Sequence, residues 1–195
     1  MNEFLNDLDV QVFYAINRTL RNPVFDLTMP FLTDLNKHRI VLLLVVVILL
    51  WMIVKGDRSI RLAALLLIPT IILSDQLSST VIKFMFDRLR PCHALPDVHL
   101  LVPCGSGYSF PSSHAVNNFA GATVLSYFLP RARWWLFGFA STIGCSRVIV
   151  GVHYPSDVVG GGVIGMIVGV CVVWLFRAAE LWWFRRTAGG ASSRI

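Results

Sequence analysis

The sequence predicts an all-α membrane protein, a polytopic bundle of five to six transmembrane helices plus an N-terminal amphipathic helix. Three observations support this class. Hydrophobic residues make up 55% of the chain and charged residues only 14%, whereas soluble domains average about 25% charged residues. Several apolar runs approach the roughly 20 residues of a spanning helix. The basic residues behind the net charge of +6 lie at the ends of those runs and form no patch, so nucleic acid is not expected as a partner.

Five apolar segments account for the predicted spans, and together they make one membrane-embedded domain over residues 1–195. The first is almost purely aliphatic, the second carries polar residues in its second half, and the fourth opens with two tryptophans that suit a membrane interface. In order, the segments are Ile40–Val54, Leu62–Phe86, Ser113–Leu129, Trp134–Val152 and Val158–Phe176.

The N-terminal region, residues 1–35, precedes these segments. Its apolar residues recur with helical spacing on one face, which predicts an amphipathic helix lying at the membrane interface. Those residues are Phe4, Leu5, Leu8, Val12, Phe13 and Ile16. The stretch after Pro23 fits either a re-entrant or tilted piece or part of a sixth span, and both alternatives stay open at this point.

The links between the segments predict which ends share a membrane face. The link KGDRSIR, the link PRAR and the C-terminal tail are rich in arginine, and all fall on one side of a five-span chain. The positive-inside rule makes that side cytoplasmic. The loop 87–111 and the turn 153–156 then face outward together.

The outward loop contains Cys92 and Cys104. An oxidising compartment favours a disulfide between them, with two free thiols as the alternative. Elsewhere in the loop, His93 and His99 are expected to be solvated. Asp87 and Arg88 are expected to pair locally.

Two patterns inside the apolar segments predict helix packing. Gly161, Gly165 and Gly169 repeat at four-residue spacing, which in membranes is typical of closely packed helices. Asp75 lies within the second segment with Gln76, and we expect both to form hydrogen bonds across helices.

Three polar clusters share the outward face: KFMFDRLRP, FPSSH and SRVIVGVHYPSD. Taken singly, the first fits a helix end anchored by snorkelling cations, and the second an ordinary helix start. The third includes Arg147, a turn or two inside an apolar span, where an unpaired charge costs several kcal/mol. An intramembrane charge of this kind indicates a functional site.

Together the clusters supply what phosphoryl transfer needs. Arg90 and Arg147 offer bidentate cations and Lys83 a point charge, while the helix that begins at PSSH offers free backbone N–H groups. His153 and Asp157 are spaced i, i+4, so the carboxylate can hold one imidazole nitrogen while the other attacks phosphorus. No carboxylate cluster is present to hold magnesium, so no cofactor and no metal site are expected.

These clusters resemble three motifs of the type-2 phosphatidic acid phosphatase superfamily, which shares its site with vanadium haloperoxidases. Lysine, six residues and Arg-Pro correspond to Lys83, Arg90 and Pro91. Pro-Ser-Gly-His corresponds to residues 111–114, with Ser113 in place of glycine. Ser-Arg, five residues, His, three residues and Asp correspond to residues 146–157.

The resemblance implies a role for each matching residue. His153 is the expected nucleophile, Asp157 orients and activates it, and His114 is the expected general acid and then general base. The phosphate oxygens are expected to be bound by Lys83, Arg90, Arg147, Ser112 and the backbone N–H of Ser113. Serine at position 113 keeps that N–H and affects only the fine geometry.

The implied function is a metal-independent lipid phosphatase of the bacterial inner membrane, with its site facing the periplasm or exterior. Its expected partners are the bilayer and a lipid substrate, and the oligomeric state stays open. Polyprenyl (undecaprenyl) diphosphate is the preferred substrate. Phosphatidylglycerophosphate, phosphatidic acid and lipid A 1-phosphate are the alternatives, as is lipid phosphotransfer. A soluble haloperoxidase is disfavoured by the apolar spans. A non-enzymatic transporter or scaffold is disfavoured by the complete catalytic set.

Overall fold

A computed structural model describes residues 3–192 of the chain, and every regular element in that range is helical. The predicted all-α class is confirmed. The helices are α1 (Glu3–Thr19), α2 (Pro23–Thr33), α3 (Arg39–Lys55), α4 (Arg58–Gln76), α5 (Lys83–Phe86), α6 (Pro91–Ala94), α7 (Ser113–Phe128), α8 (Arg133–Ile149) and α9 (Pro155–Ser192). A π-helical segment, Leu77–Ile82, joins α4 to α5 without a break.

The long helices overlap the predicted segments, but α9 runs from Pro155 to Ser192, far beyond the predicted end at Phe176. Two helix ends have local causes. Asp57 begins α4 as an N-cap, because its side chain accepts the N–H of Ile60 at 2.9 Å. The α8 helix stops at Ile149, three residues before its predicted end. Gly151 follows with a φ of +87°, a left-handed conformation in which glycine has no steric penalty.

Membrane-type helices are present, but the predicted count of five to six spans is not confirmed. Two helical stretches, Arg58–Ala94 and Pro155–Thr187, are long and apolar enough to cross a bilayer. The α3 and α8 helices have 17 residues each, slightly short of that length. In α3 no residue is buried, and Leu43 and Trp51 expose 63% and 59% of their surface. A water-soluble bundle rarely shows so continuous an apolar face.

The core of the bundle is the contact between α7 and α9. A Cβ atom added at Gly165 would lie 2.3 Å from the carbonyl oxygen of Val116. One added at Gly161 or Gly169 would lie 2.9 Å from the α7 backbone. The predicted packing role of the glycine stripe is therefore confirmed: each glycine lets two helix backbones approach to a distance that a side chain would forbid.

A polar contact joins α4 to α7 beside this core. The amide of Asn117 donates to Asp75 Oδ1 at 3.0 Å, and the hydroxyl of Ser74 donates to Asn117 Oδ1 at 2.7 Å. Asp75 thus forms the expected hydrogen bond across helices.

The predicted N-terminal helix is α1, and one of its faces docks on the bundle. Its buried residues are Asp9, Phe13 and Asn17, which pack against α8, α9 and loop 87–111. Phe4 and Leu5 lie on the opposite, open side and expose 72% and 54% of their surface. Phe13 and Ile16, two of the predicted apolar residues, pack into the hydrophobic core, and polar contacts of Asp9 and Asn17 add to the docking of this face.

The stretch after Pro23 forms the short helix α2. The side chain of Asn22 caps it by accepting the N–H groups of Val24 and Phe25 at 3.0 Å. Eleven residues give about 16 Å of helix, roughly half the hydrocarbon thickness of a bilayer. The helix packs against α8, and by itself it is too short to span a bilayer.

The glycine stripe predicts a measurable difference between two identical substitutions. Gly165→Ala should lower stability by about 1–3 kcal/mol, because the new methyl group overlaps the α7 backbone. Gly138→Ala is the matched control, since a Cβ there meets nothing within 4 Å. Thermal unfolding in detergent should show a lower Tm for the first variant and an unchanged or higher Tm for the second. Equal Tm values would contradict the packing role.

Candidate active site

The three polar clusters meet at one end of the bundle. The turn from α8 to α9 supplies His153, the first turn of α9 supplies Asp157, and the start of α7 supplies Ser112 and His114. The α7–α9 contact extends directly into the site, because the backbone N–H of Ser112 donates to the carbonyl of Asp157 at 3.1 Å.

His153 and Asp157 form the buried centre of this arrangement. His153 is 2% exposed and Asp157 is fully buried. Nδ1 of His153 lies 3.5 Å from Oδ2 of Asp157 and forms no hydrogen bond within residues 3–192. The same carboxylate oxygen accepts the N–H of Tyr154 at 2.8 Å and the hydroxyl of Ser109. The carboxylate therefore faces Nδ1, which leaves Nε2 directed away from it.

Nε2 of His153 faces a cation. It lies 3.3 Å from Nη1 of Arg90, which begins α6 and is 8% exposed. Nε of Arg90 donates to the carbonyl of Gly107 at 3.0 Å, so loop 87–111 fixes the guanidinium. A group bound at Nε2 would contact Arg90 directly.

Arg147 is a second buried cation, 8% exposed in the last turn of α8. Its Nη1 donates to the hydroxyl of Thr33 at 2.7 Å, which ties α2 to the site. Nε of Arg147 and Oγ of Ser112 are buried and have no hydrogen-bond partner within residues 3–192. Each unsatisfied polar group costs about 1–3 kcal/mol, a cost that an anion bound between them would offset.

The other predicted residues surround this centre. His114 is the second residue of α7 and Lys83 is the first of α5, and both are half-buried. The Ser113 side chain lies 3.3 Å from Oγ of Ser79, on the π-helical segment. The hydroxyl that replaces the family's glycine thus contacts a neighbouring helix. The first N–H groups of α7 have no partner inside the helix and remain suited to an anion.

Arg88 does not make the predicted local pair with Asp87. Asp87 adopts a φ of +46° at the end of α5, and the chain turns there toward α9. Nη1 of Arg88 donates to Oδ1 of Asp157 at 2.8 Å, and Nη2 donates to Oδ2 of Asp9 at 2.6 Å. The guanidinium also stacks on the Tyr154 ring, 3.9 Å from its centroid.

Sequence reasoning missed three residues next to the reaction centre: Asp9, Arg88 and Ser109. Arg88 had a usable signal, since it lies within the same cluster as Lys83 and Arg90. Asp9 had none, because 147 residues separate it from Ser156, with which it forms two hydrogen bonds.

The expectation that His99 is solvated is wrong. Its Nε2 lies 2.9 Å from Oδ1 of Asp26, and the side chain is 18% exposed. His93 is exposed, as expected, and lies 3.2 Å from Sγ of Cys104.

The disulfide between Cys92 and Cys104 is confirmed, with a Cα–Cα distance of 6.2 Å. It closes the part of loop 87–111 next to Gly107 and Arg90. Among the described residues, the one group of side chains suited to a metal is Cys92, His93 and Cys104. The disulfide removes both of its thiolates, so this group does not fit a metal ion.

Comparison with known protein families matches residues 62–181 to the PAP2 superfamily. The chain belongs to this superfamily. The predicted resemblance is confirmed, and the protein is a membrane phosphatase, a hydrolase of phosphate esters or diphosphates.

Three similar proteins span most of the chain. A lipid A 4'-phosphatase of Bacteroides thetaiotaomicron is 30% identical, over 90% of this chain and 78% of its own. The undecaprenyl-diphosphatase BcrC of Bacillus subtilis is 27% identical, over 89% of this chain and 86% of its own. The crystal structure of a transmembrane PAP2-type phosphatidylglycerolphosphate phosphatase from Bacillus subtilis is 26% identical and superposes with a TM-score of 0.66, covering 91% of this chain and 88% of that one.

The disulfide predicts a thiol count. The chain has four cysteines, and Cys145 and Cys171 are free. Purified protein, unfolded without reductant, should react with two equivalents of a thiol reagent, and with four after reduction. A Cys92→Ser/Cys104→Ser variant should give two under both conditions. Four reactive thiols in the unreduced wild-type protein would exclude the disulfide.

Proposed function

We propose that the protein hydrolyses the terminal phosphate of a membrane lipid through a phosphohistidine formed on His153. The observation that supports this most directly is that three residues with proposed roles have buried polar atoms without hydrogen-bond partners within residues 3–192: Nε of Arg147, Oγ of Ser112 and Nδ1 of His153. We assign the first two as donors to an anion bound at Nε2 of His153, because Nδ1 of that ring faces the Asp157 carboxylate.

Binding of the phosphate is assigned to three cations and one helix start. Arg90 and Arg147 bind its oxygens with planar donors, and Lys83 adds a third positive charge. The Ser112 hydroxyl and the N–H of Ser113 complete the site. The protein itself supplies all the positive charge in this scheme, so no metal ion takes part in it.

The reaction then proceeds in two balanced steps. Nε2 of His153 attacks phosphorus, the bond to the leaving oxygen breaks, and His114 donates a proton to that oxygen. His114 next removes a proton from water, which attacks phosphorus and breaks the P–N bond. Inorganic phosphate and neutral His153 are released. Asp157 accepts the N–H at Nδ1 throughout and stabilises the charge that develops on the ring.

The substrate we propose first is undecaprenyl diphosphate, cleaved to the monophosphate. Its support is the similarity to the BcrC diphosphatase over 89% of the chain, together with the outward orientation that the arginine-rich links predict for the site. A lipid A phosphate is the second candidate, because the Bacteroides thetaiotaomicron relative named for it matches 90% of the chain. Both lipids would present a terminal phosphate at headgroup depth while their chains stay in the bilayer.

The topology we propose has five spans: α3, the continuous α4–α5 helix, α7, α8 and α9. The α1 and α2 helices lie at the active-site end, since Asn17 and Thr33 both contact residues there. The arginine-rich links and the tail then face the cytoplasm, and the site faces the periplasm or exterior.

A phosphate-release panel tests the function. The purified protein should release phosphate from undecaprenyl diphosphate, with and without EDTA, and vanadate should inhibit it as a mimic of the five-coordinate transition state. His153→Ala should reduce turnover by at least about 1,000-fold, because the nucleophile is lost. Phosphatidylglycerophosphate, phosphatidic acid, and lipid A phosphorylated at position 1 or 4' complete the panel.

The outcomes of the panel are distinct. Normal turnover by His153→Ala would overturn the nucleophile assignment, and a strict need for magnesium would overturn the protein-only binding of phosphate. A higher kcat/KM for a lipid A phosphate would replace the first substrate with the second. Phosphate moved to another lipid instead of water would identify a transferase.

The pH dependence follows from the environment of His153. Burial lowers its pKa from 6.5 to about 4, an effect that the nearby Asp157 carboxylate only partly opposes. The neutral ring is the nucleophile, so it is available above that pKa and is lost as the pH falls through it. The acidic limb of the pH profile of kcat/KM should be centred near pH 4. The substrate phosphate also titrates, so its pKa is measured by phosphorus NMR and the profile is corrected for the fraction of substrate in each protonation state. A limb centred at 6.5 would contradict the buried, neutral nucleophile.

A further inference from the structure

A buried ion-pair network lies directly behind the reaction centre. Arg88 joins two carboxylates, with Nη1 2.8 Å from Asp157 Oδ1 and Nη2 2.6 Å from Asp9 Oδ2. The Arg88 side chain is 13% exposed, that of Asp9 8%, and that of Asp157 is fully buried. Surface ion pairs contribute little, but a pair so poorly hydrated strongly affects the charge and orientation of its members.

We propose that Arg88 and Asp9 are positioning residues of the reaction: they hold the Asp157 carboxylate ionised and turned toward His153, and so make the N-terminal helix part of the active site. This inference rests on the proposed role of His153. It extends the site beyond residues 62–181, the part that matches the family, because Asp9 lies in α1.

Arg88 fixes the carboxylate by occupying its far oxygen. Oδ2 of Asp157 faces His153 and accepts from Tyr154 and Ser109, whereas Oδ1 accepts from Arg88. With both oxygens held, the carboxylate plane cannot rotate away from the imidazole. The bond from Arg88 is charge-assisted, and such bonds are roughly twice as strong as neutral ones.

Asp9 lies in α1 and contacts both Arg88 and the start of α9. It accepts Arg88 on Oδ2, which balances that cation. Its Oδ1 accepts the backbone N–H of Ser156 at 2.9 Å, and its Oδ2 also accepts the Ser156 hydroxyl. Ser156 is the second residue of α9, so Asp9 satisfies a free N–H at the start of that helix. The residue that Asp9 fixes immediately precedes Asp157.

The charge balance around His153 gives this network a signature. His153 faces Asp157 from α9, Arg90 from the start of α6, Arg147 from α8 and His114 from α7. Arg88 lies behind Asp157 and partly cancels its charge. Removing Arg88 leaves the carboxylate free to stabilise an imidazolium. Removing Asp9 instead leaves the positive charge of Arg88 without this second carboxylate, and the excess positive charge disfavours protonation of His153.

The test compares Arg88→Gln, Asp9→Asn and the double variant in the full-length protein. Each single variant should lower kcat by about 10- to 100-fold with little change in KM, since misorientation costs rate and not binding. The acidic limb of kcat/KM should move to higher pH in Arg88→Gln and should not rise in Asp9→Asn. In the double variant, the fold decrease in kcat should be smaller than the product of the two single decreases, because both residues act through the Asp157 carboxylate.

Two further variants separate positioning from folding. Arg88→Lys keeps the positive charge but lacks the planar guanidinium that donates to Asp157 and Asp9 at once. The acidic limb of kcat/KM should therefore stay at the wild-type pH while kcat falls. Asn17→Ala removes the hydrogen bonds from α1 to His99 and Ile149 without changing charge. It should lower Tm in detergent and leave the limb unmoved.

The inference is overturned if folded Arg88→Gln and Asp9→Asn proteins keep wild-type kcat. A limb shift in Asn17→Ala equal to that in Arg88→Gln also overturns it, because loosening α1 would then suffice. These results are distinct from failure of the proposed function, which the His153→Ala variant reports. Wild-type turnover in that variant would overturn the assignment of His153 as nucleophile. An inactive His153→Ala protein, together with fully active Arg88 and Asp9 variants, would overturn only the positioning roles of Arg88 and Asp9.

Discussion

The close approach of α7 and α9 is the constraint on which the site depends. The two histidines with proposed chemical roles lie on different sides of this contact, His114 in α7 and His153 just before α9. They meet one phosphate only if the two helices nearly touch at their N-terminal ends. Gly161 allows this, because its missing side chain leaves room for the carbonyl of Ser112. The hydrogen bond from Ser112 to Asp157 fixes the same contact one turn away.

Two buried cations dominate the electrostatics of the site. Arg90 and Arg147 are buried close to a neutral imidazole, and among the described residues few carboxylates approach them. Such a concentration of positive charge is unfavourable until an anion arrives, so the cations are prepared for phosphate before it binds. Preorganised charge of this kind avoids reorganisation during the reaction and is commonly the largest contribution to catalysis.

Most of this arrangement was accessible from the sequence because the relevant residues obey local rules. Apolar length located the long helices, small-residue spacing predicted the glycine contact, and the combined chemistry of Lys83, Arg90 and Arg147 indicated a phosphate site. The rest depended on contacts that no local rule encodes. Asp9 was invisible because its partners lie in distant segments, and His99 was misjudged because Asp26 reaches it from α2. The docking of α1 on the bundle through Asp9 and Asn17 was invisible for the same reason as Asp9 itself, since the partners of these residues lie in distant segments.

The length of α9 has a practical consequence. Its 38 residues extend for about 57 Å, whereas a bilayer with its headgroups is about 40–45 Å thick. In the five-span topology proposed above, α9 therefore connects Asp157, near one membrane surface, to helical turns that extend beyond the opposite surface. A fluorescent or affinity label attached near those turns would report on the protein from the far compartment. Such a label would stay remote from the proposed catalytic residues at the other end of the helix.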